Sequence, residues 1–277
     1  MQTLKNRTES TSFKYGLEAT DNSKAGPSFA LPPEKVCGDV ATATCKHNCY
    51  KKSVRYNTAG SIGKRERNFQ TVERLLELGG PQLLAKALIE LIDEYKPKDW
   101  FVAQATGGKT SRPWSFRIHD LGEFYRTEYI EAWLIAVSER PLCQFWFYTR
   151  AFKIQDRYKL LSRLAALANC QGWLSIDADN WMAGISVYRS APKNLWKLAL
   201  LQTPDLPESL LIALRKLAKR TDVVNFPLHR GPHHIAPLKG EPVMNCPEIL
   251  GAFTRTRGRE SLRPCPRCQI CLPANQT

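Results

Sequence analysis

Short apolar or aromatic segments alternate with helical patterns along the middle of the chain, between residues 116 and 226. The predicted strands are Phe116–His119, Gln144–Thr149, Trp173–Ile176, Lys197–Leu201 and Val223–Phe226. The predicted helices between them cover residues 129–137, 160–167 and 210–217, where apolar side chains recur at helical spacing. This alternation is typical of repeated βα units around a parallel sheet. The sequence therefore predicts an α/β fold, either an open doubly wound sheet or a partial (β/α) barrel.

Helix signals also mark the region before these units and the start of one helix within them. Gly79-Gly80-Pro81 is predicted to separate a short helix from a longer one whose apolar residues recur between positions 83 and 92. Thr127 is predicted to be the N-cap of the helix that contains Tyr129. Two packed helices are therefore expected ahead of the βα units.

Composition divides the chain into three parts. Residues 1–32 are rich in Ser, Thr, Lys, Asn and Asp and show no apolar period, which predicts a disordered leader. Residues 33–235 are predicted to form a cysteine loop and the α/β domain, and residues 236–277 a cysteine-rich metal-binding extension. The start is polar, and no run approaches the ~18 apolar residues of a membrane span. We therefore expect a cytoplasmic protein with no membrane partner.

The formal charge of +14 is large and unevenly distributed. Residues 46–67 carry seven basic side chains against the single acid Glu66, and a second basic excess covers residues 215–267. Such an excess favours polyanions, and nucleic acid is the commonest polyanion in a cytoplasm. The alternative is a solvated basic surface that binds nothing. The sequence makes no prediction of the oligomeric state.

Six of the nine cysteines form two groups, and a seventh lies near the second group. The first cysteine group is Cys37, Cys45 and Cys49, and the second is Cys246, Cys265, Cys268 and Cys271. Disulfides are not expected in a chain without a secretory signal, so the groups are predicted to hold metal. Cys143 and Cys170 stand alone beside apolar residues and are predicted to be buried in the core.

The two cysteine groups differ in the number of ligands that they offer. Three thiolates can hold three irons of a four-iron cluster and leave the fourth iron open to a small molecule. His47 lies in the same loop and could instead complete a four-ligand zinc site. The second group has a C-x-x-C-x-x-C run and enough sulfurs to close its site, which is typical of a structural or electron-transferring centre. The predicted cofactors are one or two 4Fe-4S iron–sulfur clusters, with zinc as the alternative.

Polar residues follow the ends of the predicted strands. In open α/β sheets and in (β/α) barrels, functional residues lie at the carboxyl ends of the strands. The candidates for one site at this edge are His119, Asp120, Glu123, Tyr148, Thr149, Arg150, Asp177, Asp179, Gln202 and His229.

Some of these candidates suggest a chemical role. His119, Asp120 and Glu123, with Arg117 nearby, could transfer protons or bind a charged ligand. The alternative is that Asp120 caps a helix and His119 is a partly buried ring. Tyr148 and Thr149 are candidates because they end a strand. Asp177 and Asp179 could hold a ribose hydroxyl or a cation, or form a turn.

Several segments resemble the phage gene-product-88-like proteins. In that family a loop ending in Cys-Tyr precedes an Arg-Ile-His-Asp-x-Gly-Asp/Glu-Phe strand and helix, and the next strand ends in Tyr-Thr. The matching segments here are Cys49-Tyr50, Arg117–Phe124, Glu128-Tyr-Ile, Trp133 and Phe145–Arg150, together with the closing cysteine cluster. The resemblance covers roughly residues 35–271 and extends to radical S-adenosylmethionine enzymes, of which the family looks like a divergent relative.

This resemblance implies a cysteine loop, a partial (β/α) barrel and an extra cysteine cluster, in that order. Cys37, Cys45 and Cys49 would then ligate the cluster that binds S-adenosylmethionine, and Gly122-Glu123 would lie near the methionine part of that cofactor. Thr149 and Asp177 are further candidates for cofactor binding. The gaps between the three cysteines are seven and three residues, whereas the usual radical-enzyme loop has gaps of three and two.

Two hypotheses follow from these patterns. The first is an iron–sulfur protein of phage or plasmid biology that resembles a divergent radical S-adenosylmethionine enzyme and has catalytic residues among His119, Asp120, Glu123 and Tyr148. The second is a non-catalytic nucleic-acid-binding protein whose fold is fixed by zinc or a cluster. The chain has no Walker-type phosphate loop, Ser-His-Asp order or zinc-protease helix motif. The substrate is not predicted.

Overall fold

The computed structural model describes residues 15–22, 24–99, 102, 105–106, 114–217, 220–230, 233–247, 249, 265 and 268–273. Its strands are β1 (Thr20–Asn22), β2 (Gly26–Ala30), β3 (Ser115–Leu121), β4 (Gln144–Thr149), β5 (Cys170–Ile176), β6 (Trp196–Gln202), β7 (Val223–Pro227), β8 (His229–Arg230), β9 (His233–His234) and β10 (Met244–Asn245). Its α-helices are α1 (Pro33–Val36), α2 (Ala43–His47), α3 (Ala59–Asp93), α4 (Thr127–Ser138), α5 (Gln155–Ala165), α6 (Trp181–Ser190) and α7 (Glu208–Leu217).

The main sheet has eight strands in the order β1-β2-β3-β4-β5-β6-β7-β10. The seven strands from β2 to β10 are parallel, and β1 pairs antiparallel to β2 at one edge. The order never reverses, unlike the order of a doubly wound sheet, which has a switch point. The α/β prediction is confirmed, and the five predicted strands are all present in this sheet.

The two faces of the sheet are covered differently. Alternate residues of the strands, such as Phe147 and Leu174, join the buried residues of α3, α4, α5, α6 and α7 in the main core. Their neighbours on the strands, such as Trp146 and Trp173, lie on the opposite face and pack against the carboxyl-terminal cysteine segment. We call this opposite face the open face. Successive side chains of a strand point to opposite faces, so each strand contributes residues to both faces of the sheet.

Part of the predicted leader is structured. Residues 20–22 and 26–30, expected to be disordered, form β1 and β2, and Phe29, Ala30 and Leu31 are fully buried. β2 pairs with β3, so these apolar residues are covered by the main sheet and its helices. The stretch is too short to show a period, which is why composition alone was misleading. Residues 1–14 and 23 of the predicted leader lie outside the described residues.

The predicted break before Pro81 is confirmed. Gly79 and Gly80 have non-helical backbone angles within α3, and Gly80 has a φ of +63°, a conformation that glycine adopts without steric cost. The prediction for Thr127 is wrong, because α4 begins at Thr127 and its N-cap is Arg126. Helix α6 was not predicted, since Gly184 and several polar residues interrupt its apolar pattern.

Two features concern the chain outside the βα units. The predicted carboxyl-terminal extension contributes β10, which pairs with β7 in the main sheet. In the part of the chain that the structure describes, no helix is long and apolar enough to cross a membrane.

Candidate metal centres

Glu123 lies at the carboxyl ends of β3 and β4, and its carboxylate is fully engaged. Gly122 directs the chain there with a φ of +104°, and a Cβ at this position would lie 3.1 Å from Leu31 Cβ. Glu123 accepts hydrogen bonds from the Phe124 N–H (2.8 Å), the Thr149 hydroxyl (2.8 Å) and the Arg150 N–H (2.7 Å). Burial raises the pKa of Glu123, and these three hydrogen bonds oppose that rise. Glu123 therefore ties two strand ends together.

Asp177, at the end of β5, holds the loop of the first cysteine group. Its side chain is fully buried and accepts a hydrogen bond from the Thr42 hydroxyl (2.7 Å). It also forms an ion pair with Arg150, whose Nη2 lies 3.1 Å away. Asp179 accepts a hydrogen bond from the Thr44 N–H (2.7 Å) and donates its own N–H to Asp177 (3.0 Å). Two aspartates that follow one strand thus fix the segment between Cys37 and Cys45 to the sheet edge.

The three thiols of the first cysteine group influence one another. Burial raises the pKa of Cys37, and Glu123, Cys45 and Cys49 raise it further. Burial also raises the pKa of Cys45, whereas the Arg150 guanidinium lowers it. The Thr42 side chain caps α2 by accepting the Cys45 N–H at 2.9 Å, which fixes the middle cysteine of the loop. Three thiols and one buried cation therefore share the sheet edge.

The four thiols of the second cysteine group line one small cavity of about 20 Å³. Trp146, Val224 and Leu272 also line it. Hydrogen bonds to the main chain of three of the cysteines assemble the group from distant segments. They are Cys246 N–H to Asn225 O (2.9 Å), Cys265 N–H to Lys24 O (3.0 Å) and Trp173 Nε1–H to Cys271 O (3.0 Å). The four sulfurs therefore lie against the open face of the sheet.

Three cations lie over aromatic rings around the second cysteine group. Burial raises the pKa values of Cys265 and Cys271 to about 12, and the Arg117 guanidinium lowers both. Lys24 also lowers the pKa of Cys265, and Lys197 interacts electrostatically with Cys271. The distances from the cation to the ring centroid are 5.8 Å for Lys24–Phe226, 4.9 Å for Arg117–Tyr148 and 5.3 Å for Lys197–Trp173. Positive charge is therefore concentrated around one buried and three partly buried thiols.

A single metal ion has no ready set of ligands. Among the residues that the structure describes, no group of three or more His, Cys, Asp or Glu side chains could hold a metal ion as arranged. His47, the predicted zinc ligand, is exposed on α2. A four-iron cluster binds each thiolate to a different iron, so it requires sulfurs that surround a larger volume than one ion does. Four thiolates are a ligand set that suits either a four-iron cluster or a zinc ion.

His119 and Asp120 lie on different sides of the sheet. Between β2 and β3 the register changes, so that Ser28 and Ala30 pair with Arg117 and Leu121. His119 consequently joins the helix side, where Nε2 lies 2.7 Å from the Tyr129 hydroxyl. Asp120 instead accepts a hydrogen bond from the Thr20 hydroxyl (3.1 Å). The two residues were predicted to lie in one site, and the structure places them in two different surroundings.

The other predicted site residues are divided among three places. Thr149, Arg150, Asp177 and Asp179 join Glu123 at the sheet edge. Tyr148 lies on the open face, where it interacts with Cys271. Gln202 lies farther along the sheet, bonded to Ala236 O and Asn225, and the side chain of His229 lies outside the described residues. Cys143 and Cys170 are buried in the core, as predicted.

Sequence patterns gave no role to four residues near the cysteines. These are Thr42, Lys24, Lys197 and Trp173. The pattern Thr42-x-x-Cys45 is a recognisable N-cap, so the position of Thr42 could have been predicted. Lys24 and Lys197 carry no local signal, because they reach the second cysteine group only through the fold.

Basic side chains of residues 46–67 are largely bonded within the chain. Lys51 pairs with Glu34, and Arg67 pairs with Glu18. Lys64 donates to Ala19 O, and Arg65 is buried and donates to Tyr56 O and to the Ser61 hydroxyl. The two ion pairs offset part of the charge that this segment offers to a polyanion, and the other bonds hold Lys64 and Arg65 against the chain. Much of the second basic segment lies outside the described residues.

His119 should make the protein less stable in mild acid. Burial, and secondly the nearby Arg117, lowers its pKa to about 3, whereas an unfolded histidine has a pKa of about 6.5. Below about pH 6.5 the unfolded state therefore binds a proton that the folded state does not bind, and stability falls as the pH drops. Between pH 7 and pH 5 this amounts to about 2 kcal/mol. Urea unfolding measures the loss of unfolding free energy between pH 7 and pH 5. In His119→Gln this loss should be smaller by that amount, and an equal loss in both proteins would show that His119 does not cause it.

Comparison with known proteins gives one match. The family model described as gene product 88 matches residues 2–271. No curated protein and no solved structure matches the chain significantly.

Proposed function

We propose that this chain, which belongs to the gene product 88 family, is an iron–sulfur protein with a four-iron cluster in each cysteine group. The observation that carries the proposal is the second group, where four thiols from separate segments line one small cavity and three cations interact with Cys265 or Cys271. Thiolates this close together would repel one another without metal, and burial, together with the neighbouring thiols, raises the pKa values of Cys265, Cys268 and Cys271. A cluster removes that conflict, because it requires the thiolate form and spreads the negative charge.

The second cysteine group supports a closed centre. Cys246, Cys265, Cys268 and Cys271 would supply one ligand to each iron, which leaves no iron open. The surrounding cations and aromatic rings would stabilise the net negative charge of the cluster. We assign this centre to structural support or electron transfer.

The first cysteine group supports an open centre. Cys37, Cys45 and Cys49 would hold three irons, and the fourth iron would be available to bind and reduce a small molecule such as S-adenosylmethionine. Arg150 would offset the charge of the thiolates, since it interacts with Cys45 while paired to Asp177. The sheet edge beside this loop would position the ligand.

The strand order of the main sheet supports the same class of protein, the radical S-adenosylmethionine enzymes. Its strand order proceeds in one direction and the helices cover one face, as in a partial (β/α) barrel. In such a barrel the residues after the strands surround the active site, which is where Glu123, Thr149 and Asp177 lie. We propose a divergent radical S-adenosylmethionine enzyme, or a degenerate relative, acting in the cytoplasm in phage or plasmid biology. Gly122-Glu123 would contribute to the cofactor site.

A second candidate function rests on the formal charge of +14. In this candidate the metal centres are structural, and the chain binds nucleic acid without catalysis. The internal bonds of Lys51, Lys64 and Arg67 make it the weaker of the two. It predicts DNA or RNA affinity that falls steeply as salt rises.

Metal and sulfide analysis, with an absorption spectrum, tests the proposal on protein purified without oxygen. We expect about eight irons and eight sulfides per chain and a broad absorption near about 400 nm. Zinc without that absorption would contradict the iron–sulfur proposal and favour the structural alternative. Cleavage of S-adenosylmethionine by the reduced protein then separates an enzyme from a degenerate relative.

A further inference from the structure

Tyr148 lies on the open face near the end of β4, and three side chains contact its ring. The register of β4 and β5 pairs it with Trp173, and the centroids of the two rings lie 6.2 Å apart. The Phe226 ring meets it edge to face at 5.7 Å, and the Arg117 guanidinium carbon lies 4.9 Å from its centroid. Because these contacts hold the ring in one orientation, they also fix the direction in which its hydroxyl points.

The Tyr148 hydroxyl donates a hydrogen bond to the sulfur of Cys271. The two residues pack against the same two groups of buried side chains on the open face, one around Trp173 and one around Trp146. Trp173 also donates its indole N–H to the Cys271 carbonyl oxygen at 3.0 Å. Two neighbouring aromatic side chains of the sheet therefore hold Cys271, one at its sulfur and one at its main chain.

A second sulfur of the same cysteine group accepts a hydrogen bond from the main chain. The Ile270 N–H donates to the sulfur of Cys268. Hydrogen bonds to the ligand sulfurs are one of the means by which a protein sets the reduction potential of an iron–sulfur cluster. A main-chain donor is kept whatever side chain stands at position 270, whereas the donor on Cys271 depends on the side chain of Tyr148. Tyr148 is therefore the donor whose effect a substitution can isolate.

We propose that Tyr148 is a positioning residue that raises the reduction potential of the cluster in the second cysteine group, through the hydrogen bond from its hydroxyl to the Cys271 sulfur. Reduction adds negative charge to the cluster and its sulfurs, so a donor at one sulfur stabilises the reduced state more than the oxidised state. A set potential matters only to a centre that changes its oxidation state, so the inference assigns this centre to electron transfer. It rests on the proposed function, because it requires a cluster in the second group.

The test is a redox titration of the full chain, purified without oxygen and followed by electron paramagnetic resonance. Tyr148→Phe removes the hydroxyl and keeps the ring beside Trp173. Tyr125→Phe is the matched control, since it also removes a donating hydroxyl, but one that bonds to Glu73 on the helix side of the sheet. The signal of the second centre is the one that remains when the three cysteines of the first group are replaced by alanine. Iron and sulfide are measured in every sample.

In Tyr148→Phe we expect reduction of the second centre to become about three- to tenfold less favourable, a fall of about 30–60 mV at about 59 mV per tenfold. The first centre, and both centres of Tyr125→Phe, should keep their potentials. An unchanged second potential in Tyr148→Phe with its iron intact would overturn the inference and leave the proposed function standing.

A second substitution decides if Tyr148→Phe assembles no second centre. A ring-fluorinated tyrosine in place of Tyr148 has a more acidic hydroxyl, which is a stronger donor, so the second potential should rise. The absence of such a rise would overturn the inference. A second cysteine group without iron would contradict the proposed function, and this inference with it.

Discussion

Replacing Cys37, Cys45 and Cys49 together by alanine should remove half of the bound iron and sulfide. The content is expected to fall from about eight irons to about four, because the second cysteine group keeps its four ligands. The open iron would be lost with this centre, so any effect of S-adenosylmethionine on the spectrum should disappear as well. Iron and sulfide analysis with electron paramagnetic resonance of the reduced protein measures both results.

The matched control replaces Cys143 and Cys170 by alanine. Both thiols are buried in the main core and belong to neither cysteine group. The control should keep all of its iron and lose only a little stability, since a small apolar side chain replaces another. Equal iron in the triple variant and the unaltered protein would show that the first cysteine group holds no cluster.

Asp177→Ala should release the loop of the first cysteine group from the sheet. The substitution removes the partner of Arg150, whose side chain is only 15% exposed, and the acceptor of the Thr42 hydroxyl. Breaking a buried ion pair leaves the other charge uncompensated, so we expect a loss of about 3–5 kcal/mol in the free energy of unfolding. Urea unfolding measures that loss, and limited proteolysis shows whether cleavage between Cys37 and Cys49 becomes faster.

A surface aspartate provides the comparison for this prediction. The Asp156 side chain is 80% exposed and lies 3.7 Å from Lys159. Asp156→Ala should change the free energy of unfolding by no more than about 0.5 kcal/mol. A similarly small change in Asp177→Ala, with an unaltered proteolysis pattern, would mean that Asp177 does not hold the loop.

The course of the main sheet could be predicted because its signals are local. Each strand of the βα units is a short apolar run between helical patterns, and all five predicted strands are present. β2 was missed because its pairing partner, β3, follows much later in the chain, and β1 was missed because it pairs with β2. The burial of Phe29 and Leu31 depends on that distant pairing, so it cannot be predicted from the local composition.

The candidate sites were predictable in part for the same reason. Residues that directly follow strands, such as Thr149 and Asp177, do meet at the sheet edge. His119 and Asp120 were predicted as a pair, but consecutive residues of a strand face opposite sides of the sheet, and their side chains have separate partners. The register irregularity between β2 and β3 affects which of the two residues faces the helices, and one sequence does not show it.

The strand order also bears on how the chain folds while it is being made. From β3 to β7 each strand pairs with the strand synthesised just before it, so the sheet can grow as the chain leaves the ribosome. The first cysteine group behaves differently, because Thr42 and its partner Asp177 are 135 residues apart. Its thiols are made well before β5, yet the loop that carries them docks only after β5 has emerged.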